Sequence, residues 1–569
     1  MTQLASLQLF GFLVLLLLTV RPLGFYMQRV FAGDATPLSP LLRPVERALY
    51  RLAGVRADQE QDWFGYATAF LLFHLPGMAL LYLLLRLQDR LPFNPAGQPP
   101  VPPDLAWNTA VSFATNTSWQ SYGGETTLGH LAQMAGIAVQ SFLSGAAGIA
   151  VAMALIRGFA RHGLNTIGNF WVDLSRATLY VMLPICVMAG LLLAWQGVPQ
   201  TLGAPVTATT LEGARQAIPL GPVASQEAVK LLSGDGGGFF NAQSAHPFEN
   251  PAVLTNLLGM LLMPLIGAAL TNSFGRMVGD ERQGWVLLAA MLALLIAGAV
   301  ALHVTEAGAN PLLAGTEVDQ SAGNLEGKEL RFGVPGSALF SELGTATSSG
   351  AVNAMHDSYQ PLGGLVLLAN MMLDEVIIGG PGSGLFGMLL YALVAVFIGG
   401  LMIGRTPEYI GNKIEAREIK LAMLAILAVP AALLTLTGLA VVLPAGLSAL
   451  GNAGPHGFSE VLYAYTSAAN TNGSGFSGLS ANSGFFNLTL GLAMIIGRFC
   501  VVVPVLALAG SLAGKRRVPI SAGTLPTTGP LWVGLLLGVI VIVGGLSYLP
   551  ALALGPVAEQ MSMVRGTTY

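Results

Sequence analysis

Apolar runs separated by short polar segments fill the chain. Ten are long enough to span a bilayer, which takes about 20 apolar residues as a helix. They lie near residues 4–20, 64–88, 129–157, 173–195, 251–272, 284–304, 362–403, 420–443, 484–511 and 530–549. The pattern predicts an all-α polytopic membrane protein with ten transmembrane helices. The first run lacks a basic leader and a small-residue cleavage site, so it reads as a retained span. The seventh is long and broken. Asp374 and Glu375 interrupt it just before "IIGGPGSG", Ile377 to Gly384. Gly379, Gly380, Pro381, Gly382 and Gly384 cannot continue a stable helix. The break reads as a gate or tunnel wall, or as a plain kink between packed half-helices.

The polar segments between certain spans share a plan. They are "DLAWNTAVSFATNTSWQSYGGE" from Asp104, "SQEAVKLLSGDGGGFFNAQSAHP" from Ser225, "SALFSELGTATSSGAVNAMHDS" from Ser337 and "SEVLYAYTSAANTNGSGFSG" from Ser459. Each begins as a short helix and ends in glycine and hydroxyl residues. The unit is span, short helix, polar loop, span. It predicts repeats at 64–157, 173–272, 284–403 and 420–511. A first span with its loop (1–63) and a last span with the C-terminus (530–569) are left over. Asn241-Ala242 before His246 and Asn353-Ala354 before His356 mark the second and third copies as relatives.

Composition agrees with a membrane protein: 53% of residues are hydrophobic and only 10% charged. The distribution of charge matters more than its net value. Eighteen of the 26 basic residues fall in loops that share one side if the N-terminus is outside. That bias places both termini outside. Cys186 and Cys500 lie in apolar runs and read as small buried residues. The segment Arg43 to Asp62 reads as a cytoplasmic solvated loop or a docking surface.

Non-helical backbone at membrane depth is tolerated where it is buried in protein or lines a water-filled path. Four such loops about one axis can offer carbonyl oxygens to a dehydrated cation. The short helices add the negative ends of their dipoles, and glycine permits the close approach. The run Gly236 to Gly238 resembles a phosphate loop, but its helix precedes the glycines and no lysine follows. "GSLAGKR", Gly510 to Arg516, has the wrong spacing for one. No nucleotide site is expected. His246 and His356 lack a metal-ligand pattern and read as hydrogen-bonding braces. Trp119, Phe239 and Phe240 read as packing. Arg498 sits inside the ninth span, where a charge costs at least ~2.5 kcal/mol. Lys515 marks the end of that span about 25 Å further on at helical rise, beyond the reach of an arginine side chain. Arg498 therefore reads as a positive barrier or the partner of a carboxylate.

The strings "TNTSWQSY", "GDGGGFFNAQSAHPFENP", "SSGAVNAMHDS", "GRTPEY" and "GFSGLSANSGFFN" occur in this order. On them the chain resembles the KdpA family, the potassium-translocating subunits of bacterial Kdp potassium-importing ATPases. The resemblance implies the channel-like fold of the potassium-transporter superfamily. It also implies a place in the bacterial inner membrane beside the P-type ATPase subunit KdpB and the small subunits KdpC and KdpF. Potassium would be the transported ion, and ATP would be hydrolysed by the partner. Neither a catalytic site nor bound nucleotide or nucleic acid is implied for this chain; lipids surround it. The filter residues would be Asn116, Thr117 and Ser118; Gly234, Asp235 and Gly236; Ser348, Ser349 and Gly350; and Asn470, Thr471, Asn472 and Gly473. Gln120 would support them. Arg498 would be the barrier below, with Asp374, Glu375, Gly379 and Gly380 at the gate. The chain departs from the family pattern at Gly234-Asp235, where Thr-Asn is usual, at Ser349, where cysteine is common, and at Thr471, where asparagine is. Asp235 adds a charge near the ion path. A stand-alone Trk/Ktr-type transporter is the alternative, but it is expected to have eight core spans. An intramembrane enzyme would need a catalytic cluster that the sequence lacks.

Overall fold

The computed structural model describes residues 3–313, 316–373, 376–519 and 524–566. Asp374 and Glu375 lie outside them. Among the described residues ten helical segments are long and apolar enough to cross a membrane. The seventh predicted span consists of Pro361–Met372 and Ser383–Met402, and the described residues between them, 373 and 376–382, are non-helical.

The helices overrun the hydropathic limits. The first extends over Gln3–Ala32 rather than ending near residue 20. Hydropathy marks the bilayer core, whereas the helix ends where the backbone turns. Here it turns at Gly33, which has φ +82°. The segment after it is more ordered than a charged loop. Ser39–Ala53 is a helix closed by left-handed Gly54. Its buried Glu46 accepts from Tyr50 and Tyr180 and pairs with Arg176 at 3.2 Å. Further on, Glu60 takes a two-pronged bond from Arg161 at 2.7 and 2.8 Å, which holds its carboxyl below the usual range.

Four short helices interrupt the series: Pro103–Ala114, Val223–Leu232, Gly333–Ala346 and Gly454–Ala469. Each stands between two spans, and most of its residues are buried. In every repeat the second span is more buried than the first, so the second spans and the short helices form the centre. Glycines allow the close approaches there. A Cβ on Gly158 would lie 2.7 Å from the Ala509 carbonyl oxygen, where the third and ninth spans meet. Two small antiparallel hairpins, Val206–Thr209 with Arg215–Ile218 and Glu408–Tyr409 with Asn412–Lys413, are additions to the all-α plan. Cys186 is buried as expected, but Cys500 is exposed on the outer face of the ninth span. An apolar run does not reveal which face of its helix meets lipid.

Candidate cation site in a ring of four loops

The four short helices end alike. The backbone N–H groups of Thr115, Ser233, Thr347 and Asn470 donate to the carbonyls four residues back, at 2.9–3.1 Å. The next residue is left-handed in every copy: Asn116 (φ 63°), Gly234 (60°), Ser348 (58°) and Thr471 (54°). A second left-handed residue follows two positions later at Ser118, Gly350 and Gly473. In the second loop it falls one position later, on Gly237 rather than Gly236. The triple glycine absorbs this offset.

Left-handed backbone is uncommon outside glycine and costs of order 1–3 kcal/mol per residue. Of the eight such non-glycine residues described, four lie in these loops, and Ile378 lies in the break of the seventh span. Strain is thus concentrated in one region.

The loops close on one another. Asn116 donates its amide to the carbonyls of Ser233 (3.3 Å) and Gly234 (3.0 Å), and the Ser118 hydroxyl donates to the Asp235 carboxylate. A Cβ on Gly236 would stand 2.7 Å from the Ser349 carbonyl oxygen. On Gly350 it would overlap the Asn472 carbonyl, and on Gly473 the Thr117 carbonyl. Loop one therefore meets loop two, two meets three, three meets four, and four returns to one. The backbone at the centre is packed too closely for side chains. The wholly buried Ser349 hydroxyl has no hydrogen-bond partner among the described residues.

Other polar groups brace the ring from behind. The Gln120 side chain accepts from Gly238 N–H at 2.9 Å and donates to the Gly238 carbonyl at 3.3 Å. His356 Nδ1 meets Tyr463 Oη at 2.8 Å, Tyr463 reaches Ser474 at 2.9 Å, and Ser474 donates to the Asn472 side chain at 2.6 Å. His246 stacks on Phe240 at 3.8 Å and accepts from Phe248 N–H. Phe239 and Phe240 are core residues, and Trp119 lies against Gly475.

Several braces escaped the sequence reading. Lys230 sits between Glu227 (2.6 Å) and Glu249 (2.7 Å), all buried, and Glu249 also accepts from Phe240 N–H. In the third repeat Lys328 pairs with Glu306 at 2.7 Å, both wholly buried. Glu342 accepts from Asn370. The available signal was charge inside or beside re-entrant segments of a chain that has little charge.

The break in the seventh span lies directly against the ring. Gly379 N–H donates to the Ala346 carbonyl at 3.0 Å, and Gly380 N–H to the Ser383 hydroxyl at 3.0 Å. A Cβ on Gly234 would overlap the Pro381 ring, and one on Gly380 would lie 3.0 Å from the Ser348 hydroxyl. Arg498 donates to the Ser144 carbonyl at 3.0 Å, and the Ser144 hydroxyl donates to the Asn116 side chain at 2.8 Å. A cavity of about 50 Å³ is lined by Asn470, Thr471, Ser383 and Arg498 among others.

The chain matches known proteins along its length. The model of the KdpA family, described as the potassium-transporting ATPase A subunit, matches residues 10–561. The chain belongs to the KdpA family. A relative from Methylorubrum populi is 60% identical over 569 residues, covering 100% of this chain and 99% of the relative. One from Mesorhizobium japonicum is 59% identical, covering 100% of both. Each is named a potassium-transporting ATPase potassium-binding subunit. Among solved structures, the potassium transporter TrkH from Vibrio parahaemolyticus is similar with a TM-score of 0.50 at 15% identity. It covers 88% of this chain and 98% of TrkH. That likeness shows a shared fold. As a KdpA chain this is a multi-pass membrane subunit of a potassium-transporting ATPase, and family membership rather than fold separates it from the Trk type.

Proposed function

We propose that the ring is a potassium filter, and that this chain selects potassium and passes it to a P-type ATPase partner for ATP-driven import. The observation that carries the reading is the closure of the ring. Four loops of matching backbone hand close on one another, with carbonyls of one loop against glycines of the next at points where no Cβ fits. Such carbonyls can replace the hydration shell of a potassium ion. Asn116 to Ser118, Gly234 to Gly236, Ser348 to Gly350 and Asn470 to Gly473 supply the walls. Gln120 holds the second loop in register. Asp235 is wholly buried and accepts from Ser118, so its charge lies in the contact between loops one and two.

Below the ring the broken span forms a floor, and Gly379 and Gly380 are its hinge. Arg498 stands beside it as a positive barrier that keeps the ion from continuing straight through. The ion leaves sideways toward the partner. KdpB hydrolyses ATP, KdpC and KdpF complete the complex, and this chain binds no nucleotide. The complex lies in the inner membrane with both termini of this chain outside.

The test is potassium-stimulated ATP hydrolysis by the purified complex, wild type against Gly236→Asp. A large rise in the potassium needed for half-stimulation, with assembly intact, is the expected result. An unchanged midpoint would mean that the glycines serve only packing.

A further inference from the structure

A second cluster of ligating side chains lies away from the ring, where three elements meet: the turn after the third loop, the start of the fourth short helix and the C-terminal helix Ala558–Val564. His456 is at its centre. Its Nδ1 lies 2.8 Å from Glu559 Oε1, and its Nε2 lies 3.1 Å from Asp357 Oδ1. Ligand atoms of Asp357, His456 and Glu460 all fall within 4.8 Å of one another, the one such grouping among the described residues. The other face of the cluster opens into a pocket of about 340 Å³ that Glu326 and Asn452 also line.

Two features go beyond a collection of acids. The carboxylate on Nδ1 is the outer partner that metal-binding histidines use to orient the ring; Asp357 accepts from Nε2 as well, so without metal each nitrogen carries a proton and a metal displaces the one on Nε2. In addition, the 3.1 Å from Nε2 to Asp357 Oδ1 is close to the ~3.3 Å edge of a tetrahedron built on ~2.0 Å zinc bonds. Glu460 is wholly buried and held by Gly451 N–H and the Asn452 amide at 3.1 and 2.8 Å. Its oxygens also face the other two ligand residues, and the pocket leaves room for water as the fourth ligand.

We propose that Asp357, His456 and Glu460 form a site for a divalent transition metal of the zinc class, with Glu559 orienting the histidine. One imidazole and two carboxylates suit zinc better than calcium or magnesium, which take oxygen alone. Metal binding takes up the Nε2 lone pair and releases the proton shared with Asp357 to water. The site also touches the fourth loop. Gly478 N–H donates to Asp357 Oδ2 at 2.9 Å, and Phe476 stacks on both His456 and Tyr463. A bound metal pins the outer end of that loop.

Zinc titration of the purified ATPase complex by calorimetry, against a competing chelator, tests the site. Wild type is expected to bind one equivalent that His456→Gln does not. Glu559→Gln should weaken binding by roughly 10- to 100-fold, as removal of an outer partner does. His162→Gln, at a histidine remote in sequence and outside the cluster, should change nothing. Equal zinc binding by wild type and His456→Gln would overturn the proposal, as would the absence of binding to wild type at micromolar zinc. If His456→Gln does not assemble, cobalt substitution in wild type decides. Visible bands of a low-coordinate nitrogen–oxygen site support the proposal, and a spectrum of hexa-aqua cobalt alone refutes it.

Discussion

Replacing Gly473 by alanine sets one methyl group against the Thr117 carbonyl, at the point where the fourth loop returns to the first. Gly473 has φ +98° and its Cβ position overlaps that oxygen, with the Ser118 carbonyl carbon 3.1 Å away. Left-handed backbone costs alanine roughly 1–2 kcal/mol. Relief comes only by letting the two loops part, so the cost falls on the closed ring. At about 1.4 kcal/mol per tenfold, the potassium needed for half-stimulation of ATP hydrolysis should rise about 5- to 30-fold. The overlap with the carbonyl acts in the same direction, which makes this range a lower bound. Gly484→Ala is the control, because nothing lies within 4 Å of its Cβ position. It should leave the midpoint unchanged. A Gly473→Ala complex that assembles normally and keeps the wild-type midpoint would refute the closed ring.

Three further outcomes follow from the same geometry. Glu306→Ala leaves the wholly buried Lys328 without its carboxylate, which should cost about 3–5 kcal/mol and show as a lower melting temperature in detergent; breaking the half-exposed pair of Glu60 and Arg161 should cost no more than about 1 kcal/mol. Arg498→Gln removes the positive charge beside the floor of the ring, so radioactive rubidium should cross vesicles without ATP hydrolysis, while the potassium midpoint changes little. Gln120→Ala deletes both bonds to Gly238, each worth about 1 kcal/mol, and should raise the midpoint by no more than about 30-fold.

The fourfold plan could be read from the sequence because glycine and hydroxyl runs interrupt hydrophobic pattern at matching places. The equivalence of Asn116, Gly234, Ser348 and Thr471 could not, because only the backbone angles show that an asparagine, a glycine, a serine and a threonine do the same thing. The offset in the second loop is a further example, since nothing in "GDGGG" says which glycine turns left-handed. Hydropathy located every span but ended the first twelve residues early, since it reports the bilayer and not the helix. The helix Ser39–Ala53 was hidden for a related reason. Its exposed Leu41, Val45, Leu49 and Leu52 are spaced as a stripe among charges and never form an apolar run. The pairs of Lys230 with Glu249 and of Lys328 with Glu306 join residues 19 and 22 positions apart, and charge content alone does not reveal such partners. Arg498 was conspicuous because its neighbours are apolar, yet its contact with Ser144 crosses between two repeats and depends on the fold.

The most direct measurement of the central claim is the position of a bound ion. The structure of the complex in rubidium, with its anomalous signal, should show an ion ringed by backbone oxygens of Asn116 to Ser118, Gly234 to Gly236, Ser348 to Gly350 and Asn470 to Gly473, at the centre of the four loops. Rubidium bound elsewhere in this chain, with none at that centre, would contradict the account.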